Sequence, residues 1–258
     1  MRIFVCVKQV PDTETRIKIL ADQLGIDPQG VKWVINPYDE FAIEEAVKYK
    51  EAHPEAQVTA ITVGPKARVN NALLTAMAMG VDDSILVDTD VALDSLTTAK
   101  ALAQAIQKEG DFSLIFAGKL AIDGNLSAVP LMLAELLGVP HSSVVNQLEY
   151  AGQSLKATRE VEGGNKETFE LQLPALITAS KGLNKPRFAS LPGIMKAKKK
   201  PVKNITLDEL GLNESNIKIK FTHYEPPAEK PPCKMIEGDP KAQVDELVRL
   251  LQEEAKVL

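Results

Sequence analysis

"SLIFAGKLAIDGNLSAVPLMLAELLG", residues 113–138, reads as a strand, a loop and a helix in succession. Residues 113–118 are continuously apolar rather than alternating, which marks a strand covered on both faces. Residues 125–138 are apolar for most of their length, close on Gly138 and have Pro140 just beyond, as a helix end requires. The same unit recurs upstream. Strand-like runs lie at 3–7, 57–64 and 84–88, and helical patterns at 41–53, 67–80 and 93–110. Parallel neighbours need a crossover between them, so this alternation predicts a doubly wound, mostly parallel α/β sheet over residues 1–140. Asp39 is placed to cap the first helix, Gly80 to end the second, Asp94 to open the third and Gly110 to end it; Asn125 or Ser127 opens the fourth.

Past residue 140 the pattern changes. Residues 142–180 are rich in β-branched side chains, with Gly152 and the Gly163-Gly164 pair as turn positions. They predict a β-hairpin insertion whose last strand, "PALITAS" (174–180), returns to the main sheet. Residues 200–238, with paired prolines at 226–227 and 231–232, suit an extended arm. The arm ends in a helix that starts on Asp239 and Pro240 and carries Val244, Leu247, Leu250 and Leu251 on one face. The expected organisation is one α/β nucleotide-binding domain over 1–200, then an arm and helix over 201–258 whose apolar stripe packs on a partner.

The 258 residues are 45% hydrophobic and 25% charged, an ordinary globular composition. Thirty basic against 35 acidic side chains, a net charge of -5, argue against a surface built wholly for nucleic acid. Cys6 lies in an apolar run and Cys233 beyond a basic segment, so neither a metal spacing nor a disulfide framework emerges. Residues 3–7 are too short for a secretory segment, and no run approaches the roughly 18 apolar residues of a membrane span. The expectation is a protein not embedded in a membrane, in a bacterial cytoplasm or a mitochondrial matrix. His53, His141 and His223 lack Glu or Cys at ligand spacing, and no nucleophile motif occurs. A carrier or binding subunit without catalytic residues of its own is expected.

Two stretches carry the binding chemistry. Loop 118–130 leaves the fourth strand where doubly wound sheets take ligands. Gly118 and Gly124 permit close backbone approach, and the following helix presents free N–H groups. A phosphate or adenine nucleotide fits this loop, and so does an ordinary capped turn. Residues 7–14 and 35–40 face the same crevice, where Asn36, extended by the following Pro37, offers its amide. The other stretch is "LNKPRFASLPGIMKAKKK" (183–200). Phe188, Leu191, Pro192, Ile194 and Met195 follow neither a helical nor a strand period and precede Lys196, Lys198, Lys199 and Lys200. An exposed loop this apolar is expected to dock a partner, with the lysines as a steering flank. A nucleic-acid patch would interleave aromatics or arginines, and only Arg187 and Phe188 are near.

These stretches together resemble the electron transfer flavoprotein β-subunit family. The resemblance is carried by "VCVKQVPD" (5–12), "NPYDEFAIEEAVKYKE" (36–51), "ALLTAMAMGVDD" (72–83), "GKLAIDGN" (118–125), "REVEGG" (159–164), "LQLPALITA" (171–179) and the 183–200 segment, collinear over nearly the whole chain. It implies a Rossmann-like, adenine nucleotide alpha hydrolase-like fold and a heterodimer with an α subunit that holds one FAD. Such carriers of fatty-acid β-oxidation take electrons from acyl-CoA and related dehydrogenases and pass them to the quinone pool through a partner oxidoreductase. It also implies AMP as a structural ligand, at positions matching Cys6, Asn36, Pro37, Tyr38, Asp39, Val63, Gly118, Lys119, Leu120, Ala121, Ile122, Asp123, Gly124, Asn125, Leu126, Ser127, Ala128 and Val129. Glu160 matches a carboxylate that approaches an arginine of a mobile α flavin domain. Phe188, Leu191, Pro192, Ile194, Met195, Lys196 and Lys199 match the docking segment, with Leu191 entering the partner's pocket.

Two departures separate this chain from the family's usual pattern. Many AMP-containing members read D-D-D-x-N-Q-T where this chain has "DGNLSAV", so Asn125, Ala128 and Val129 replace a carboxylate, a glutamine and a threonine. The segment "VPDTE" (10–14) resembles instead the electron-bifurcating branch, in which a second FAD replaces AMP. AMP is the expected ligand and a second FAD the alternative. A stand-alone adenine-nucleotide module or enzyme would leave the arm and the docking segment unused.

Overall fold

In the computed structural model, which describes residues 1–230 and 232–258, strand β1 (Arg2–Cys6) lies in the interior of a nine-stranded sheet. Its alternation decides the two cores. Ile3 and Val5 point to one face and Phe4 to the other, and all three are wholly buried. A short antiparallel pair, β2 (Gln9–Pro11) and β3 (Trp33–Ile35), leads to helix α1 (Pro37–Ala52). Then come β4 (Gln57–Gly64), α2 (Lys66–Met79), β5 (Asp83–Asp88), α3 (Ser95–Lys108), β6 (Leu114–Gly118) and α4 (Val129–Leu137). Next follow β7 (His141–Ala151), β8 (Ser154–Glu160), β9 (Lys166–Gln172), β10 (Ala175–Ala179), α5 (Leu191–Ala197), β11 (Lys203–Thr206) and α6 (Pro240–Glu253).

The sheet runs β11-β5-β4-β1-β6-β10-β7-β8-β9. Pairing is parallel from β11 to β7 and antiparallel in the β7-β8-β9 extension, so the fold is the doubly wound α/β arrangement with a hairpin insertion. The strand "PALITAS" does return, as β10, between β6 and β7. Helices α1 and α2 cover one face over Ile43, Leu73 and Phe116; α3 and α4 cover the other over Ile61, Ile106 and Leu133. Each such side chain removed from water contributes roughly 1.5–3 kcal/mol. The chain builds β4 and β5 on one side of β1 and then crosses through α3 to β6 on the other. The carboxyl ends of β4, β1 and β6 therefore converge at this switch point.

Gly80 (φ 126) and Gly138 (φ 65) end their helices, and Asp94 and Asp239 cap theirs through side-chain acceptance, as read from sequence. Other expectations change. Helix α1 starts at Pro37, whose ring presets the helical φ, so Asp39 is its third residue and not its cap. Asn125 and Ser127 have φ of 52° and 51°, a left-handed backbone that excludes them from a helix, so α4 opens at Val129 after Ala128, without a side-chain cap. The stretch expected as an aperiodic loop at 191–197 forms α5, because the Ser190 hydroxyl accepts from Gly193 N–H at 3.1 Å; seven residues are too few to display a period.

Strand β11 extends the main sheet past residue 200, and Ile205, Leu207, Leu210 and Leu212 are buried on the α3 side. Pro231, within the expected arm, lies outside the described residues. No residue of α6 is buried, and Val244 is 58% exposed. Among the described residues no helix is long and apolar enough to cross a membrane.

Candidate functional site

At the switch point three segments are tied together by one carboxylate. Asn36, extended by Pro37 (φ -56, ψ 125), is 1% exposed. Its amide nitrogen donates to Asp39 Oδ1 and to the Leu120 carbonyl, both at 2.8 Å, and its Oδ1 accepts from Ile122 N–H at 3.2 Å. Asp39 also accepts from Lys8 N–H at 2.7 Å and Gly118 N–H at 3.0 Å. The ends of β1 and β6 and the start of α1 thus share a buried hub. Burial pushes the Asp39 carboxyl up to about 7, against the pull of those donors.

The requirement for glycine at 118 follows from this packing. A Cβ there would lie 2.3 Å from Asp39 Oδ1 and 2.8 Å from the Tyr38 backbone. The close approach expected of a ligand is made by α1 itself. Gly124, by contrast, has nothing within 4 Å of a Cβ position and faces open space.

Beyond Ile122 the loop turns outward. Lys8 Nζ meets Asp123 at 2.8 Å, and Lys119 Nζ sits 4.8 Å from the Tyr38 ring centroid. Leu126 is 66% exposed. Left-handed Ser127 is followed by right-handed Ala128, a succession that turns consecutive N–H groups toward one concavity. The N–H groups of Ser127, Ala128 and Val129 find no acceptor among the described residues. Cys6, Val63 and Val129 pack on the same core face, partly exposed, and form the apolar floor beside this loop. Burial, then the field of Asp39, pushes the Cys6 thiol up to about 12, so it is protonated and inert as a nucleophile. The loop thus offers unused backbone donors beside apolar side chains.

The residues expected to dock a partner lie together at a second place, on and beside α5. Phe188 is 96% exposed, Leu191 76% and Met195 64%, while Ala197 is buried against Met77 and Ala78 of α2. Pro192, Lys196 and Lys199 are exposed, and Ile194 is 38% exposed. A Cβ at Gly193 would lie 2.5 Å from the Ala78 carbonyl, so this glycine lets α5 lie directly on α2.

Both ends of the segment are fastened by contacts that pattern reading did not find. Arg187 forks onto Glu44 (2.8 and 3.0 Å) and Glu51 (2.5 and 3.0 Å) of α1, spaced seven apart on one helix face. Asn184 donates to Glu45 at 3.0 Å and to the Phe41 carbonyl at 2.9 Å. Lys200, expected among the steering lysines, donates to the carbonyls of Val81 and Asp82 at 3.1 and 2.7 Å and closes the other end. Glu160 stands apart from both sites, exposed on the hairpin opposite Lys166.

The chain matches the family model described as "Electron transfer flavoprotein domain" over residues 23–210. It is 42% identical to "Electron transfer flavoprotein subunit beta" of Bacillus subtilis (strain 168), covering 100% of each chain. Over 100% of this chain it is 40% identical to the mitochondrial "Electron transfer flavoprotein subunit beta" of Arabidopsis thaliana, again with 100% of that chain covered. The identity is 36% with that of Sus scrofa, covering 100% of this chain and 99% of the other. With the parallel sheet, the loop at its switch point and the α5 segment in place, these matches establish that the chain belongs to the electron transfer flavoprotein family, as a β subunit.

Proposed function

We propose that this chain joins an α subunit to form an electron carrier, binds AMP structurally in the switch-point crevice, and docks electron-donating dehydrogenases through Phe188, Leu191 and Met195 on and beside α5. The observation that carries this reading is that the likeness to proteins named as subunit beta runs from end to end, through the crevice loop and α5 alike. FAD, held mainly by the α subunit, supplies the redox chemistry. This chain's own part is to bind and to position.

In the crevice, the unused N–H groups of Ser127, Ala128 and Val129 would hold a phosphate, and Cys6 and Val63 would contact the base. At α5 the fastened ends hold the apolar side chains outward at low entropic cost, so a partner's pocket meets a preformed anchor. The exposed Val244 and Leu247 of α6 suit contact with the α subunit. Acyl-CoA and related dehydrogenases are the proposed donors, a quinone-linked oxidoreductase the acceptor, and a bacterial cytoplasm or mitochondrial matrix the setting. Glu160 is assigned to the arginine of the α flavin domain, being exposed and unpaired with any cation of the chain within salt-bridge distance among the described residues.

One feature favours a second reading, a second FAD in place of AMP: the run "VPDTE" lies at the β2 end of the same crevice. Co-expression with the α subunit tests the carrier reading. A yellow heterodimer that an acyl-CoA dehydrogenase reduces in the presence of its substrate is expected. A colourless monomer hydrolysing ATP would reject it.

A further inference from the structure

Arg68 lies in the first turn of α2, directly after the carboxyl end of β4. Its guanidinium carbon sits 4.3 Å from the centroid of the Trp33 ring, and its Nη2 lies 3.8 Å from where a Cβ would stand on Gly64. The charged group is therefore held over the Trp33 ring beside Gly64, at the carboxyl end of β4 where the switch point lies. It is half-buried, yet none of its donors has a hydrogen-bond acceptor among the described residues. Asp123, the carboxylate whose charge reaches it, is occupied by Lys8 at 2.8 Å.

Other partly buried arginines of the chain are matched differently: Arg159 pairs with Glu167 at 2.8 Å, and Arg187 with Glu44 at 2.8 Å. Burying part of a guanidinium without an acceptor is costly, whereas stacking on an aromatic face leaves the donor edge free and preorganised. The crevice loop supplies backbone N–H groups, while Ala128 and Val129 bring no polar side chain to them. A cation is present at the rim and lacks an anion.

We propose that Arg68 is a phosphate-binding residue of the crevice, its free guanidinium edge receiving the phosphate of the nucleotide held there. The inference rests on the crevice reading above. Arg68 then reads the phosphate and leaves the base to the apolar floor, so the site discriminates a nucleotide from a nucleoside.

The test is calorimetric titration of the nucleotide-stripped heterodimer with AMP and, separately, with adenosine, for the wild type, Arg68→Gln and Arg68→Lys. Arg68→Gln should weaken AMP on the order of 10- to 100-fold, the loss expected for a charge-assisted hydrogen bond, and leave adenosine unchanged. Arg68→Lys, which keeps the charge but not the fork, should fall between. Equal weakening of both ligands would assign Arg68 to supporting Trp33, and an unchanged AMP affinity would remove it from the site; either overturns the proposal. A wild type that binds neither ligand would instead reject the crevice reading, and the proposal with it.

Discussion

Asp39 gathers donors from the end of β1, the start of α1 and the end of β6, and Gly118 is glycine because that carboxylate leaves no room for a Cβ. Gly118→Ala should therefore destabilise the chain by about 2–4 kcal/mol in urea unfolding, as overpacking against backbone does. A loss within about 0.5 kcal/mol would show that α1 moves away freely. The pH response has a definite sign. With its folded value lifted to about 7, Asp39 holds its proton more tightly in the native than in the unfolded state. Its contribution to stability accordingly falls as pH rises from about 4 to about 7 and is level above that. Measured in urea at those two pH values, the stability difference between wild type and Asp39→Asn should shift in favour of the variant at the higher pH. A shift the other way would show that the three donors outweigh burial. The sequence exposes Asn36-Pro37 as an extended turn but not the hub, because Asp39 meets Gly118 only after the sheet brings residues far apart in the chain together. For the same reason the pattern reads Asp39 as a helix cap.

Among the elements, α5 shows where periodicity loses its power. Seven residues do not complete two turns, and the fasteners of this segment, Arg187 to Glu44 and Lys200 to Val81, span more than a hundred positions of chain. The apolar composition of 188–195 is visible in the sequence, although its helical form is not. Because Leu191 is 76% exposed, Leu191→Ala should leave unfolding free energy within about 0.5 kcal/mol of wild type. It should slow flavin reduction by the dehydrogenase roughly 10-fold, with heterodimer and flavin content intact. Stopped-flow traces that superimpose on wild type would reject the anchor. The long elements behave oppositely. Helices α2 and α3 and the buried strands were plain in the sequence because each repeats its period several times; α4 was over-extended because left-handed φ at Asn125 and Ser127 has no signature in a polar loop.

For the whole molecule, the continuous apolar strands and the helices between them suffice to give the parallel sheet and the crevice at its switch point. Strand β11 was not legible, since a short run after a lysine cluster acquires its pairing only beside β5. A chain of net charge -5 places exposed Lys196, Lys198 and Lys199 next to the exposed Leu191 and Met195. Replacing Lys196 and Lys199 by alanine should lower the bimolecular reduction rate a few-fold at low ionic strength and converge with wild type near about 0.5 M salt, where screening removes steering. A deficit independent of salt would make these lysines contact residues. The direct test of the crevice and carrier together is acid release and chromatography of the nucleotides bound to the purified heterodimer. One FAD and one AMP per heterodimer is the predicted result; FAD without AMP, or two FAD, would contradict it.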